Sequence, residues 1–231
     1  MARAAGIRRE RVCRAAASYN AGWPAPFPIV MTAFRTLRAA LLLALALSLA
    51  ACEDPAGKPV VPVENRLPDL QFSLSTAGGK RLTQDDFKGK IPLVFFGYAN
   101  CPDVCPTTMA RLAQVTAELG EAARDVRILF ISVDPHRDTP EVLERYVKAF
   151  DNQHAVGLAG TPDEIESLAR RYRVSYQIMK PADPDSPNYE VSHSKGVFVF
   201  DRQGRVNLLV TDIDKPGSTQ ALTAALRTLI E

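Results

Sequence analysis

The sequence predicts a single α/β domain in which helices cover both faces of a mixed β-sheet. Two long apolar runs, at 91–98 and 126–133, have the length and composition of buried central strands. The segment 106–119 between them repeats apolar residues at helical spacing, and a strand–helix–strand order implies parallel pairing with a right-handed crossover. Near the C-terminal end, two short apolar segments separated by a glycine-containing turn predict an antiparallel hairpin at 196–210.

The remaining elements fit the same architecture. Two further helices are predicted where a threonine precedes proline and an acidic residue, at Thr139-Pro140 and Thr161-Pro162. The other predicted elements are an edge strand at 71–75, a turn at 77–80, a short strand at 174–179, a proline-rich loop at 181–188 and an amphipathic helix at 218–230. A mixed sheet with helices on both faces, and with cysteines directly after a central strand, is the thioredoxin arrangement. We therefore predict one thioredoxin-like domain over residues 66–231.

The charge distribution separates an N-terminal segment from the part expected to fold. The chain has 231 residues and a formal net charge of +2, but residues 1–51 carry seven arginines and only one acidic residue. Residues 52–231 therefore hold 21 basic and 25 acidic residues, so the folded part is mildly acidic. The sequence has no basic patch with interleaved aromatic residues, and nucleic acid is not an expected partner.

Residues 31–51 have the pattern of a lipoprotein signal peptide. Arg35 and Arg38 precede a 13-residue apolar run, 39–51, which is shorter than the about 20 residues that a membrane-spanning helix needs. The run ends in small residues immediately before Cys52, and this resembles a bacterial lipobox, in which the cysteine is lipidated. A short uncleaved anchor helix is the alternative. Both interpretations place the domain outside the cytoplasm, at a membrane face.

The segments on either side of this signal have separate interpretations. Residues 1–30 are interpreted as a leader or a wrongly assigned start, because Met31 places the two arginines where a signal peptide has them. Residues 52–65 are rich in proline and poor in large apolar residues, so we predict a flexible tether between lipid and domain. Such a tether would let the domain reach a membrane-bound partner on the periplasmic side of a bacterial inner membrane.

The most informative motif is Cys101-Pro102-Asp103-Val104-Cys105-Pro106, between a predicted strand end and a predicted helix start. The two other cysteines, Cys13 and Cys52, fall in the N-terminal segments, so one working pair remains. Pro106 suits the first helical position, which places Cys105 near the N-cap, where backbone N–H groups would stabilise its thiolate. The two sulfurs can converge on one soft metal ion, with copper as the leading candidate, or close a disulfide.

His193 follows the cysteine motif by about 90 residues, at the predicted start of the last hairpin. In a thioredoxin-like sheet, the loop that enters this hairpin lies beside the cysteine loop. A neutral imidazole there would complete a set of two cysteines and one histidine, and would leave one coordination position open. An open site with few ligands suits a metal that must later be handed on.

Several segments resemble the SCO/SenC family of copper-handling proteins. Phe96-Gly97-Tyr98, followed by the cysteine motif with Thr107-Thr108, carries most of the resemblance. Supporting segments are Asp134-Pro135-His136-Arg137-Asp138-Thr139-Pro140, Gly157-Leu158 with Gly160, and the histidine before Gly196-Val197-Phe198-Val199-Phe200-Asp201. The resemblance covers about residues 66–231.

This resemblance implies a thioredoxin-like fold and a site in which Cys101, Cys105 and His193 bind one copper ion, Cu(I) or Cu(II), per domain. It also implies delivery of copper to subunit II of cytochrome c oxidase, with another periplasmic copper chaperone as candidate donor, or reduction of that subunit's copper-site thiols.

Two details depart from the family pattern, and the first is Ala99, where threonine is frequent. Ser192 precedes the histidine where an acidic residue is usual, and Glu190 is the nearest carboxylate. An acid beside the imidazole would help to orient it.

Asp103, inside the cysteine motif, has competing interpretations. It either tunes the metal site or contacts the partner, or it is only a solvated turn residue. Tyr98 and Phe96 flank the cysteine motif and are expected to form walls of the site, with Tyr98 and Asp103 as candidate supports for the metal ligands.

Asp134, Arg137 and Asp138 could form an ion-paired loop near the site, although helix capping by itself explains Asp138. His136 is interpreted as a surface residue rather than an extra ligand. His154 has no cysteine near it in the sequence and is interpreted as incidental to the site.

Two functional hypotheses follow from these motifs. The first is a copper metallochaperone, and the second is a thiol:disulfide oxidoreductase that cycles Cys101 and Cys105 on periplasmic thiols. Thioredoxin-type enzymes carry two residues between their cysteines and a cis-proline opposite the pair. Here three residues intervene and residues 190–197 contain no proline, and both facts favour metal binding. A peroxidase-like enzyme would need an activating partner beside one cysteine, and the sequence identifies none.

Overall fold

The computed structural model describes residues 58–179 and 189–231. Its strands are β1 (Val60–Pro62), β2 (Ser73–Ser75), β3 (Arg81–Thr83), β4 (Ile91–Gly97), β5 (Val126–Ser132), β6 (Ala155–Leu158), β7 (Tyr176–Ile178), β8 (Val191–His193), β9 (Val197–Phe200) and β10 (Val206–Val210). Its α-helices are α1 (Val104–Leu119), α2 (Pro140–Lys148), α3 (Pro162–Arg171) and α4 (Ser218–Ile230). Six strands form the central sheet in the order β1-β10-β9-β4-β5-β6, and two ribbons, β2-β3 and β7-β8, lie outside it.

The central sheet is mixed, as the sequence predicts. Strand β4 pairs in parallel with β5, and β5 pairs in parallel with β6. Strand β9 pairs antiparallel with both β4 and β10, so the predicted hairpin is confirmed. The register between β4 and β5 places Phe95 opposite Phe130 and Gly97 opposite Ser132. Every residue of β4 is buried, which agrees with its continuous apolar sequence.

Helices cover both faces of this sheet. On one face, the rings of Phe95 and Phe130 lie 5.9 Å apart, and Phe130 contacts Tyr146 of α2 at 5.1 Å between ring centroids. Helix α1 lies on the same face, because Cys105 abuts Gly97, and α1 packs against α4. On the opposite face, Phe96 packs against Tyr172, which directly follows α3. The predicted thioredoxin-like α/β architecture is confirmed.

The predicted starts of α2 and α3 are confirmed in detail. The Thr139 side chain accepts a hydrogen bond from the backbone N–H of Val142, and Pro140 occupies the first helical position. At α3, Thr161 and Glu164 form a reciprocal capping box. These caps satisfy backbone N–H groups that have no partner within the helix, and they explain why the two threonine–proline pairs mark helix starts.

Two predictions, one of an edge strand and one of a tether, were wrong. Residues 73–75 pair with β3 in a separate ribbon and do not form an edge of the central sheet. Residues 60–62 fall in the predicted tether but form β1, which pairs with β10 and places Val60 opposite Val210. The two valines favour extended structure, and an edge strand tolerates the following proline because one side of it needs no partner. The folded part therefore begins before residue 66.

Other predicted segments lie outside the described residues. They are the leader at 1–30, the signal peptide at 31–51, Cys52 with the first part of the tether, and the proline-rich loop at 181–188. Within residues 58–179 and 189–231, no helix is both long enough and apolar enough to cross a membrane.

Candidate metal centre

The two cysteines of the motif lie between β4 and α1. Helix α1 begins at Val104, two residues earlier than predicted, so Cys105 is its second residue and is buried. Half-buried Cys101 lies in front of the helix, where its Sγ accepts a hydrogen bond from the backbone N–H of Cys105 at 3.4 Å. The prediction that Cys105 occupies the anion-stabilising position was therefore wrong. The sulfur of Cys101 takes that position instead.

Gly97 makes room for the buried cysteine, a role that was not predicted from the sequence. A Cβ atom at this position would lie 2.7 Å from Cys105 Sγ and 2.8 Å from Cε2 of Phe130. Any other residue would therefore displace the sulfur or the ring. A glycine inside an otherwise continuous apolar strand is a signal for such a close approach, and it could have identified this position.

His193 brings its imidazole to both sulfurs. It is the last residue of β8 and pairs with Tyr176 of β7, so the prediction that it opens the last hairpin was wrong. Its Nε2 atom lies 3.2 Å from Cys105 Sγ and 3.9 Å from Cys101 Sγ. The three potential ligand atoms all lie within 4.8 Å of one another. Two cysteines and one histidine therefore converge as the sequence analysis expected.

A backbone carbonyl orients the imidazole. Nδ1 of His193 lies 3.0 Å from the carbonyl oxygen of Ser194, and a carbonyl can only accept a hydrogen bond. Nδ1 therefore carries the proton in the neutral ring, and Nε2 presents its lone pair to the two sulfurs. Ser192 and Glu190 are both exposed. The orienting role expected of an acidic neighbour is thus supplied by the main chain.

Two aromatic rings pack around His193. Tyr98 and Phe95 contact the imidazole edge-on, with centroid separations of 5.8 and 5.9 Å. The Tyr98 hydroxyl also accepts a hydrogen bond from the backbone N–H of Val191 at 3.4 Å, which links the cysteine loop to β8. Phe96, predicted as a wall of the site, points to the opposite face of the sheet. Side chains alternate along a strand, so Phe95 takes the position expected of Phe96.

A buried ion pair supports the start of β8. Asp134 is fully buried and pairs with Arg137, as the sequence suggested. The Tyr189 hydroxyl donates a hydrogen bond to Asp134 at 2.6 Å, and Nη1 of Arg137 donates to the Tyr189 carbonyl at 2.9 Å. The guanidinium also lies 3.6 Å from the centroid of the Tyr189 ring. Burial and the hydrogen bond to Asp134 raise the pKa of Tyr189 to about 12. These contacts connect the loop after β5 to the segment that carries His193.

Asp138 connects the end of β5 to the cysteine loop. Its Oδ2 atom accepts hydrogen bonds from the Ser132 hydroxyl at 2.6 Å and from the backbone N–H of Ala99 at 3.0 Å. Burial raises the pKa of this carboxyl, and both hydrogen bonds oppose that rise. Thr139, rather than Asp138, caps α2. The capping interpretation of Asp138 was therefore wrong.

The two cysteines have opposite acidities. The hydrogen bond from the Cys105 thiol is the largest of the effects that lower the pKa of Cys101 to about 4, and hydrogen bonds from the backbone N–H groups of Asp103 and Cys105 add to it. The same sulfur–sulfur hydrogen bond, followed by burial, raises the pKa of Cys105. The reduced, metal-free site therefore holds one thiolate and one thiol. A metal that binds both sulfurs must release the proton of Cys105.

The other candidate residues do not join this group. Asp103 precedes α1, its side chain is exposed and makes no capping hydrogen bond, and only its backbone N–H acts on Cys101. His136 is exposed, and His154 pairs with Asp151 at 2.8 Å. Among residues 58–179 and 189–231, Cys101, Cys105 and His193 form the only group of three that could hold a metal ion.

Iodoacetamide is expected to alkylate Cys101 in the reduced, metal-free protein at pH 6 and to leave buried Cys105 unmodified. An ordinary thiol has a pKa of about 8.5 and is mostly protonated at pH 6, whereas Cys101 with a pKa of about 4 is a thiolate. Acidification should remove the reaction only as the pH falls through about 4. Peptide mass spectrometry of timed samples measures both sites, with Cys101→Ser as control. Loss of Cys101 labelling already below pH 8 would contradict this assignment.

The SCO1/SenC family model matches residues 64–231. An SCO2-like protein of Rickettsia felis is 34% identical over 164 residues, which cover 71% of this chain and 79% of that protein. The human mitochondrial SCO1 homolog is 41% identical over 135 residues, which cover 58% of this chain and 44% of that protein.

Solved structures show the same relationship. Bradyrhizobium japonicum ScoI with copper bound is 35% identical and superposes with a TM-score of 0.61 over 70% of this chain and 98% of its own. Yeast Sco1 with copper bound is 28% identical, with a TM-score of 0.61 over 70% of this chain and 90% of its own. The fold, the cysteine–cysteine–histidine group and these similarities agree, and the chain belongs to the SCO1/SenC family.

Proposed function

We propose that this protein binds one copper ion through Cys101, Cys105 and His193 and delivers it to the copper centre of cytochrome c oxidase subunit II. The convergence of two sulfurs and one imidazole nitrogen within 4.8 Å carries the proposal. Thiolates select Cu(I), and imidazole suits either oxidation state of copper. The copper bound to ScoI and to yeast Sco1 supports the choice of this metal.

The unequal exposure of the two cysteine ligands provides a route for the release of copper. Cys105 is buried, whereas Cys101 is half-buried and lies at the surface of the site. Three ligands leave a coordination position open, into which a thiolate of the acceptor can enter. Cys101 then leaves first, and the ion passes from sulfur to sulfur without a change of oxidation state.

The proposed function also includes a location for the domain and a source for its copper. Lipidation of Cys52 would hold the domain at the periplasmic side of the bacterial inner membrane, with the segment before β1 as a tether. Copper would arrive from another periplasmic copper chaperone, through the same open coordination position.

Copper transfer tests this function directly. The reduced protein is loaded with one equivalent of Cu(I) and mixed with copper-free subunit II, and the copper content of each protein is measured after separation. We expect the ion to move to subunit II. The Cys105→Ser variant should neither retain nor deliver copper. Retention of the ion by the wild-type protein, in the presence of reduced subunit II, would contradict the proposal.

The low pKa of Cys101 favours a second candidate, a thiol:disulfide oxidoreductase. The Cys101 thiolate would attack a disulfide of subunit II and form a mixed disulfide, releasing one thiolate. Cys105 would lose its proton and attack the Cys101 sulfur, so that the subunit leaves as a dithiol and this chain keeps the disulfide. A periplasmic dithiol protein would then restore the reduced pair. If His193→Ala preserves function in cells while Cys101→Ser abolishes it, this candidate replaces copper delivery.

A further inference from the structure

A groove of about 660 Å³ lies beside the candidate metal centre, on the α3 face of the sheet. Its apolar lining comes from the segment after β1, the segment after α3 and the last hairpin: Val63, Leu67, Tyr172, Val174, Phe198 and Leu209. A volume of this size is typical of a binding pocket, and the lining is the kind that receives apolar groups. We call this feature the basic groove, because of the residues at its rim.

Three cations surround the groove. Arg66, Arg173 and Lys195 line it, and all three side chains are exposed. None of them makes an ion pair with the part of the chain that the structure describes, and no acidic residue lines the groove. Residues 52–231 carry more acidic than basic residues, so this concentration of positive charge differs from the rest of the domain. Unpaired cations around an apolar floor are complementary to carboxylates that flank apolar side chains.

Arg173 reaches the rim of the groove because it lies in the turn that ends α3. Its φ angle is 56°, the left-handed conformation that is common at the end of a helix, and the backbone N–H of Val174 donates a hydrogen bond to the Ala169 carbonyl there.

The groove is continuous with the segment that orients the metal ligand. Ser194 and Lys195 line it together with His193, and the Ser194 carbonyl accepts the hydrogen bond from His193 Nδ1. A protein bound in the groove would therefore contact the segment that carries and orients His193. Because His193 is one of the three ligands, an acceptor of the ion would bind there next to the metal centre, although both cysteines lie outside the lining of the groove.

We propose that the basic groove is the docking surface for the protein that accepts copper from this chain. The partner inserts an apolar segment whose flanking carboxylates pair with Arg66, Arg173 and Lys195. This inference rests on the proposed function and extends it by assigning the contact surface. A concave apolar floor suits an inserted polypeptide segment better than a flat membrane surface, so we assign a protein partner.

The test compares charge reversal in the groove with charge reversal elsewhere. The full-length chain in detergent, as wild type and as Arg66→Glu/Arg173→Glu, is titrated with copper-free cytochrome c oxidase subunit II at low ionic strength. We expect the double variant to bind subunit II at least tenfold more weakly. Arg145→Glu is the matched control, because Arg145 is an exposed residue of α2 on the opposite face of the sheet, and it should bind as wild type does.

A copper titration of the same proteins separates this inference from the proposed function. All variants should bind copper with wild-type affinity, because neither arginine contacts the three ligands. If the wild-type protein does not bind copper, the proposed function is wrong. If all variants bind subunit II equally well, or if the wild type does not bind it, the groove is not the docking surface. If the double variant instead loses affinity for phosphatidylglycerol vesicles and keeps its affinity for subunit II, the groove binds lipid and the inference is wrong.

Discussion

Replacing His193 with alanine is expected to weaken copper binding by roughly a hundredfold or more. Loss of a residue that only supports a ligand typically costs 10–100-fold in metal affinity, and His193 supplies the nitrogen itself. Its Nε2 atom lies 3.2 Å from the Cys105 sulfur, so no other imidazole of the described chain can replace it. Competition with a coloured Cu(I) chelator measures the affinity.

The control for this experiment is His136→Ala, because His136 is exposed and lies outside the site. This variant should keep wild-type affinity. Thermal unfolding of both variants checks that the domain remains folded, since His193 also contacts the rings of Phe95 and Tyr98. Unchanged copper affinity in folded His193→Ala would show that the two cysteines bind the ion without the histidine.

Replacing Arg137 with methionine is expected to destabilise the reduced protein by about 3–5 kcal/mol, the typical cost of leaving a buried charge without its partner. Asp134 is fully buried, and Arg137 is its cationic partner. The change also removes the hydrogen bond to the Tyr189 carbonyl, so the segment that carries His193 should loosen and copper affinity should fall. Urea unfolding measures the free energy of unfolding.

Arg170→Met is the matched control for this loss of charge. Arg170 pairs with Glu166 at 2.8 Å, but the two side chains are 74% and 62% exposed. Exposed ion pairs of this kind typically contribute less than about 1 kcal/mol. If Arg137→Met proves no more destabilising than Arg170→Met, the buried pair does not stabilise the segment that carries His193.

Patterns within short segments predicted the main elements well. The continuous apolar runs of β4 and β5 and the helical spacing of α1 depend on neighbouring residues, so the sequence carries them directly. The threonine–proline pairs that start α2 and α3 are equally local, because a cap contacts only the next helical turn. The position of the cysteines at the junction of β4 and α1 follows from these elements.

The features that the sequence did not disclose depend on contacts between distant segments. The Ser194 carbonyl that orients His193 belongs to the backbone, so the amino-acid type at position 194 does not predict this hydrogen bond. Asp138 lies one residue before a helix cap, and its bonds to Ser132 and Ala99 form only when the sheet has assembled. The pairing of β1 with β10 likewise joins segments that lie far apart in the sequence. The set of Cys101, Cys105 and His193 was predicted because a thioredoxin-like sheet places the loop before the last hairpin beside the cysteine loop, and the family resemblance implied the same three residues.

X-ray absorption at the copper edge tests the central claim most directly. The reduced protein is loaded with one equivalent of Cu(I), and the atoms bound to copper are counted in the wild type and in His193→Ala. We predict two sulfur atoms and one imidazole nitrogen in the wild type, with the nitrogen lost in the variant. A spectrum that shows sulfur alone in the wild type, or a nitrogen that persists without His193, would contradict the three-residue site.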